Sequence, residues 1–255
     1  MQEFKNKVVV ISGALGDIGL SIASRYLESG AIVVLGDQLQ ADAASVKLLQ
    51  LDSYQEKFEY KQLDVSDYRQ VETWISEVED RYGKIDCCIA NAARVTIKNF
   101  RTLSPEEWSL EMRVNVDGAF YFANFAAQSM VRKAVGGNII FLGSWAAHAV
   151  HENIPAYSVS KAAVRMINQT MALEYAHFGI RVNEIAPGYV NAGLSKTVWS
   201  ELPEQKVVSQ KKVPLNKIME AEAVAVQVLW LTSHQCQHVT GSTFLMDGGL
   251  SLLRP

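Results

Sequence analysis

An α/β fold is what this chain predicts: a doubly wound parallel sheet of about seven strands with helices on both faces. Three observations carry it. Short apolar runs rich in Val and Ile alternate with segments of helical period along the 255 residues. The first run passes into a glycine turn and then a helix. No internal repeat, low-complexity tract or Pro-rich linker divides the chain, so residues 1–255 read as one domain.

Lys7-Val-Val-Val-Ile-Ser12 is continuous and β-branched, the pattern of a strand buried on both faces, expected over 7–12. Gly13-Ala-Leu-Gly16-Asp-Ile-Gly19 turns the chain. Leu20, Ile22, Ala23, Tyr26 and Leu27 then recur at helical spacing up to Gly30, giving a helix near 17–29. Asp17 either caps it, since Asp is a good N-cap, or, as an acid close to a pyrophosphate, weakens cofactor affinity or alters the loop. Ala31-Ile-Val-Val-Leu-Gly-Asp37 is the second strand, 31–37. Further strands are expected near 57–63, 85–91, 137–143, 180–186 and 243–247, and helices near 40–50, 67–82, 105–133, 155–177 and 219–232. The segment 189–217 interrupts this alternation. It is mixed in polarity, carries Pro203 and Pro214, and follows a strand carboxyl end, where such sheets bind ligands; it is read as a substrate-covering lid.

The strand, glycine turn and helix form the context of a dinucleotide-binding loop. Glycines let the backbone approach a pyrophosphate, and the helix N-terminus offers free N–H groups. Asp37 ends the second strand 18 residues after Gly19. An acid there accepts from ribose hydroxyls and repels a 2′-phosphate, and no Arg stands beside it, so NAD is expected over NADP.

Tyr157 and Lys161 stand four residues apart, and Ser144 precedes the Tyr by thirteen. On a helix, i and i+4 share a face, so the ammonium can sit beside the phenol and lower a pKa that starts at ~10. A phenol so tuned gives or takes a proton at a hydroxyl or carbonyl, and the Ser hydroxyl can hold the same oxygen.

In this order and at these spacings, the motifs resemble those of the short-chain dehydrogenase/reductase family, short single-domain type, over nearly the whole chain. Leu63-Asp64-Val65 is similar to the family's adenine-cradling segment, and Ala90-Asn91-Ala92-Ala93 to its Asn-Asn-Ala-Gly segment. Ile180 to Gly188 resembles the strand and turn against the nicotinamide, and Val239 to Gly249 the C-terminal strand. The resemblance implies a Rossmann-like fold. It implies a catalytic set of Asn115, Ser144, Tyr157 and Lys161, with Asn115 anchoring a water that feeds protons to Lys161. The cofactor contacts it implies are Gly13, Gly16, Asp17, Ile18, Gly19, Asp37, Asp64, Val65, Asn91, Ala92, Tyr157, Lys161, Pro187, Gly188 and the backbone of Val190. It also implies a homotetramer built through the helices near 105–133 and 155–177 and the last strand. There are departures. Asp17 stands where the family usually has Gly, Gly143 replaces the commoner Ser before Ser144, and Ala192 replaces a Thr that touches the carboxamide. None removes a catalytic group.

The activity implied is NAD(H)-dependent interconversion of a secondary alcohol and a ketone, or of a sugar or polyol hydroxyl and its oxidised form. An NADP-dependent 3-oxoacyl thioester reductase is the enzymatic alternative, weakened by the missing Arg. A nucleotide-sensing scaffold on the same fold is the other, weakened because Tyr157 and Lys161 are both kept. The run Trp145 to Pro155 is rich in hydrogen-bonding groups. Its Ala146, His151 and Asn153, with Ser144 and Tyr157, are the expected substrate contacts, and its His-Glu-x-Ile-Pro wording is similar to that of some sugar dehydrogenases. A net charge of −3 implies no nucleic-acid or acidic-membrane partner. No apolar run reaches the ~18 residues of a membrane span, no signal-peptide pattern opens the chain, and Cys87 and Cys88 read as core residues, so a reducing cytoplasm is expected. His234-x-Cys236-x-His238 has no carboxylate or further Cys beside it, so no metal is expected.

Overall fold

The computed structural model describes residues 3–253. Its strands are β1 (Val8–Ser12), β2 (Ile32–Asp37), β3 (Phe58–Gln62), β4 (Cys87–Ala90), β5 (Asn138–Leu142), β6 (Arg181–Pro187) and β7 (Thr243–Met246). All pair in parallel in one seven-stranded sheet, ordered β3-β2-β1-β4-β5-β6-β7. The alternating side chains of β1 explain its uniform apolarity. Val9 and Ile11 join one core, under α1 (Asp17–Glu28) and α9 (Ala221–Thr232). Val8 and Val10 join the other, under α3 (Tyr68–Tyr82), α5 (Gly118–Arg132) and α6 (Pro155–Tyr175). Strand order reverses between β1 and β4, and a ligand crevice opens outside the strand carboxyl ends at such a switch point.

The elements near the site are punctuated locally. Asp67 accepts from Arg69 N to cap α3, and left-handed Gly83 ends it. Ser104 and Glu107 form a reciprocal capping box on α4 (Pro105–Met112), with Pro at its first turn. The single helix expected over 105–133 is broken: a π turn, Arg113–Asp117, joins α4 to α5 and carries Asn115. The helix expected near 40–50 is α2 (Ala41–Leu48), running into a 3-10 stretch, Leu49–Lys57. The segment 189–217 contains two helices absent from the sequence expectation, α7 (Gly193–Glu201) and α8 (Pro203–Lys212). Neither lies on the sheet; α8 buries no residue and α7 only Trp199, so neither shows an apolar stripe.

Trp74 stacks on Phe122 with ring centroids 5.2 Å apart, and its ring lies where a Cβ on Gly36 would sit. Both side chains are fully buried. Trp74→Ala should destabilise the fold by about 3–5 kcal/mol, read as a lower urea midpoint.

Candidate active site

A cleft of about 630 Å³ runs along the carboxyl ends of the strands, from Asp37 past the glycine loop to Tyr157 and Lys161. At its glycine end, Gly13 holds a φ of +60° and its Cα faces Ala92, whose Cα would lie 2.6 Å from an added Cβ. Gly19 packs so closely on the loop that a Cβ would meet the Gly13 carbonyl at 2.5 Å. Asn91 locks the loop from β4, its amide donating to Gly13 O at 2.7 Å and Ser12 O at 3.2 Å. The first turn of α1 opens onto this cradle with its N–H groups unpaired within the helix. Asp37 holds the far end: its carboxylate accepts from Leu15 N at 3.0 Å and Leu39 N at 3.2 Å. Each oxygen keeps a lone pair for a hydroxyl donor. A backbone cradle with no room for side chains, a helix N-terminus and a carboxylate beyond it fit a dinucleotide.

The cofactor residues expected from sequence all lie on this wall, Asp64, Val65, Pro187, Gly188 and Val190 among them. Gly188 approaches the residue that follows β7 so closely that a Cβ would meet Asp247 Cα at 2.7 Å. Asp17 is a correction. Gly16 is the N-cap of α1, without a side-chain cap, and Asp17 is already the first helical residue. Its carboxylate instead accepts from Gly193 N at 2.8 Å, with Lys196 Nζ 3.6 Å away, and so joins the glycine loop to the start of α7.

At the other end, Ser144 leaves β5 and Tyr157 and Lys161 sit on the first turns of α6, all three on the cleft wall. Lys161 is buried, and its ammonium donates to Leu142 O at 2.6 Å and lies 5.5 Å from the Tyr157 ring centroid. Burial pulls Lys161 down to about 8, against the opposing pull of Glu184 and Glu111. The i, i+4 spacing predicts a lowered phenol pKa; in the structure it is raised. Burial pushes it up, the Ser144 hydroxyl draws it partly back, and Glu111 adds to the rise. Asn115 is buried behind the wall. Its amide donates to Arg94 O at 2.8 Å and Ser160 Oγ at 3.0 Å, and its oxygen accepts from Arg94 N at 2.7 Å. The side chain is thereby committed to holding the 91–96 loop on α6.

Of the expected substrate residues, Ser144 and Tyr157 line the cleft, while Ala146, His151 and Asn153 stand off it. Ala146 is buried and donates its N–H to Ser144 Oγ at 3.1 Å. Asn153 is exposed on a left-handed turn. The His151 ring lies edge-on to Trp145, 3.9 Å between centroids, where burial lowers its pKa and favours the neutral imidazole. His148 Nδ1 meets the Arg165 guanidinium at 3.1 Å. The Nε2 atoms of both His148 and His151 are enclosed without a partner. Tyr189, which the sequence reading did not single out, stands between Trp145 and Trp199 at 5.4 and 6.3 Å, linking the loop after Ser144 to α7. Glu111 and Glu184 were missed as well. Their signal was present: a carboxylate one helical turn before Asn115, and another inside the apolar strand Val182-Asn-Glu-Ile185.

A family model described as Enoyl-(Acyl carrier protein) reductase matches residues 13–251. The chain is 31% identical to the 3beta-hydroxysteroid dehydrogenase 1 of Eggerthella lenta, over 98% of this chain and 95% of that one. It is 29% identical to the glucose 1-dehydrogenase 2 of Bacillus subtilis, over 98% and 97%. A solved short chain dehydrogenase from Bacillus anthracis superposes with a TM-score of 0.91 at 27% identity, covering 99% of each chain.

Proposed function

The chain belongs to the short-chain dehydrogenase/reductase family, and we propose that it is an NAD(H)-dependent oxidoreductase interconverting a secondary alcohol, sugar or polyol hydroxyl and its carbonyl. The observation that carries this reading is one cleft with Asp37 at one end and Ser144, Tyr157 and Lys161 at the other.

When bound, the nicotinamide accepts or returns hydride at the substrate carbon; the rest is the work of the chain. Tyr157 takes the hydroxyl proton in oxidation and gives it back in reduction. Ser144 Oγ holds the reacting oxygen. Lys161 supplies the positive charge that favours phenolate and holds the nicotinamide ribose. The main-chain carbonyl of Asn115, in the π turn, is the group we assign to the water that returns protons to Lys161, since its side chain is already engaged. The helices of 189–217 act as the lid, with Asp17 as its tether to the cofactor loop. Exposed Val159, Met166 and Leu173 on α6 and Phe120 on α5 support burial of these helices in a homotetramer.

The test is a panel of sugars, polyols, secondary alcohols and hydroxy acids with NAD and NADP in parallel, followed by the absorbance of reduced nicotinamide. Turnover with NAD on a hydroxylated substrate is expected. Because burial holds the phenol above its ordinary value, oxidation should accelerate with rising pH and reduction should slow. Turnover confined to NADP and acyl thioesters would replace this reading with a thioester reductase.

A further inference from the structure

Two carboxylates are sealed inside this site, and the reaction as described gives neither a task. Glu111 on α4 accepts from Thr96 N at 3.0 Å through Oε2, and its Oε1 has no partner. Glu184, in the middle of β6, accepts the Thr243 hydroxyl at 2.6 Å through Oε2, and its Oε1 also has none. Both residues are fully buried. Burial raises the pKa of both carboxyls, and such a group stays ionised beside a compensating charge.

The backbone shows where the Glu184 charge lies. Glu184 pairs with Phe141 across β5 and β6, and Gly143 N donates to Ile185 O at 2.8 Å. A Cβ on Gly143 would fall 1.8 Å from Glu184 Oε1, so the carboxylate occupies the space a side chain at 143 would need. Lys161 Nζ is anchored on the Leu142 carbonyl, one residue earlier. The ammonium is thus held on Leu142, and the carboxylate lies against the next residue, Gly143, with its other oxygen held by Thr243. Other charged or titratable groups face this pair. Glu111 comes from α4, Tyr157 lies on Lys161's own helix, and Arg165, farther along α6, acts on Glu184 while its guanidinium meets His148. Glu111 bears on both Lys161 and the Tyr157 phenol, where it opposes phenolate; Glu184 bears on Lys161.

We propose that Glu184, admitted by Gly143, is a positioning residue of the proton-transfer site: it is the buried counter-charge that keeps Lys161 an ammonium beside Tyr157. The inference rests on the roles given above to Tyr157 and Lys161.

The test is Glu184→Gln, which keeps an oxygen for Thr243 and removes the charge, read in two ways. Lysine 13Cε resonances, with Lys161→Arg for assignment, report the titration of Lys161 directly. It should fall by about one pH unit or more from the wild-type value of about 8. The oxidative pH–rate profile should move to higher pH, with kcat near neutrality down about 10-fold and NADH affinity unchanged. Thr243→Val, on a surface-proximal strand, removes the donor that stabilises the carboxylate and should shift both readouts the same way by less. An unmoved Lys161 titration, or a loss of kcat with no shift in profile, would overturn the proposal. If Glu184→Gln fails to fold, Thr243→Val decides alone. A wild-type protein silent on every substrate would count against the proposed function, and the lysine titration would still decide this inference.

Discussion

Tyr157→Phe should lower turnover by about 10²–10⁴-fold while leaving NADH affinity within about threefold of wild type, because a positioned acid/base contributes a factor of that order and the ring is kept. The substitution removes one oxygen. Among the described residues, the Ser144 hydroxyl is the group that draws on that oxygen, so the fold loses little. The ring stays in place beneath the Lys161 ammonium, 5.5 Å from its centroid. The pair of measurements matters more than either alone. Lost turnover with intact binding places Tyr157 in the chemical step. Lost binding would make it a wall of the cofactor site, and retained turnover would remove it from the mechanism.

The second large effect is expected at Asp37. Replacing its carboxylate by Asn should weaken NAD binding by about 10–100-fold, the worth of charge-assisted hydrogen bonds to two hydroxyls. The same change should raise NADP affinity, because the repulsion of a 2′-phosphate is gone. Asn retains a side-chain oxygen for Leu15 N or Leu39 N, which Asp37 now ties together at the mouth of the cleft. Asp37→Ala gives up those anchors too. It should therefore weaken both cofactors, and comparing the variants by calorimetric titration separates charge from loop geometry. Equal loss of NAD and NADP in Asp37→Asn would refute the assignment of Asp37 as the cofactor selector.

The sheet was legible in the sequence because every strand between β1 and β6 is covered on at least one face and most on both, leaving unbroken runs such as Val8-Val-Val-Ile11. The glycine loop was legible because only glycine fits where Gly13 faces Ala92 and Gly19 faces the Gly13 carbonyl. The helices of 189–217 were not. The first turn of α7 lines the cleft and α8 buries no residue, so no apolar period marks them. The π turn at Asn115 was hidden too, since one extra residue in a helical turn leaves no compositional trace. Asp17 misled for a geometric reason: a residue one place inside a helix cannot cap it, and the sequence does not reveal that Gly193 would come within reach. Gly143 looked like a simple departure from a family Ser. With Glu184 Oε1 in the space its Cβ would take, the two positions read as a matched pair.

The proposed function stands on hydride transfer between a carbinol carbon and NAD, with Tyr157 moving the proton. The most direct measurement uses the best alcohol of the substrate panel, deuterated at its carbinol carbon, and reads the mass of the NADH formed. NADH heavier by about one mass unit is expected from the wild-type protein, and from Tyr157→Phe at a rate about 10²–10⁴-fold lower. Unlabelled NADH, or labelled NADH formed equally by both proteins, would contradict it.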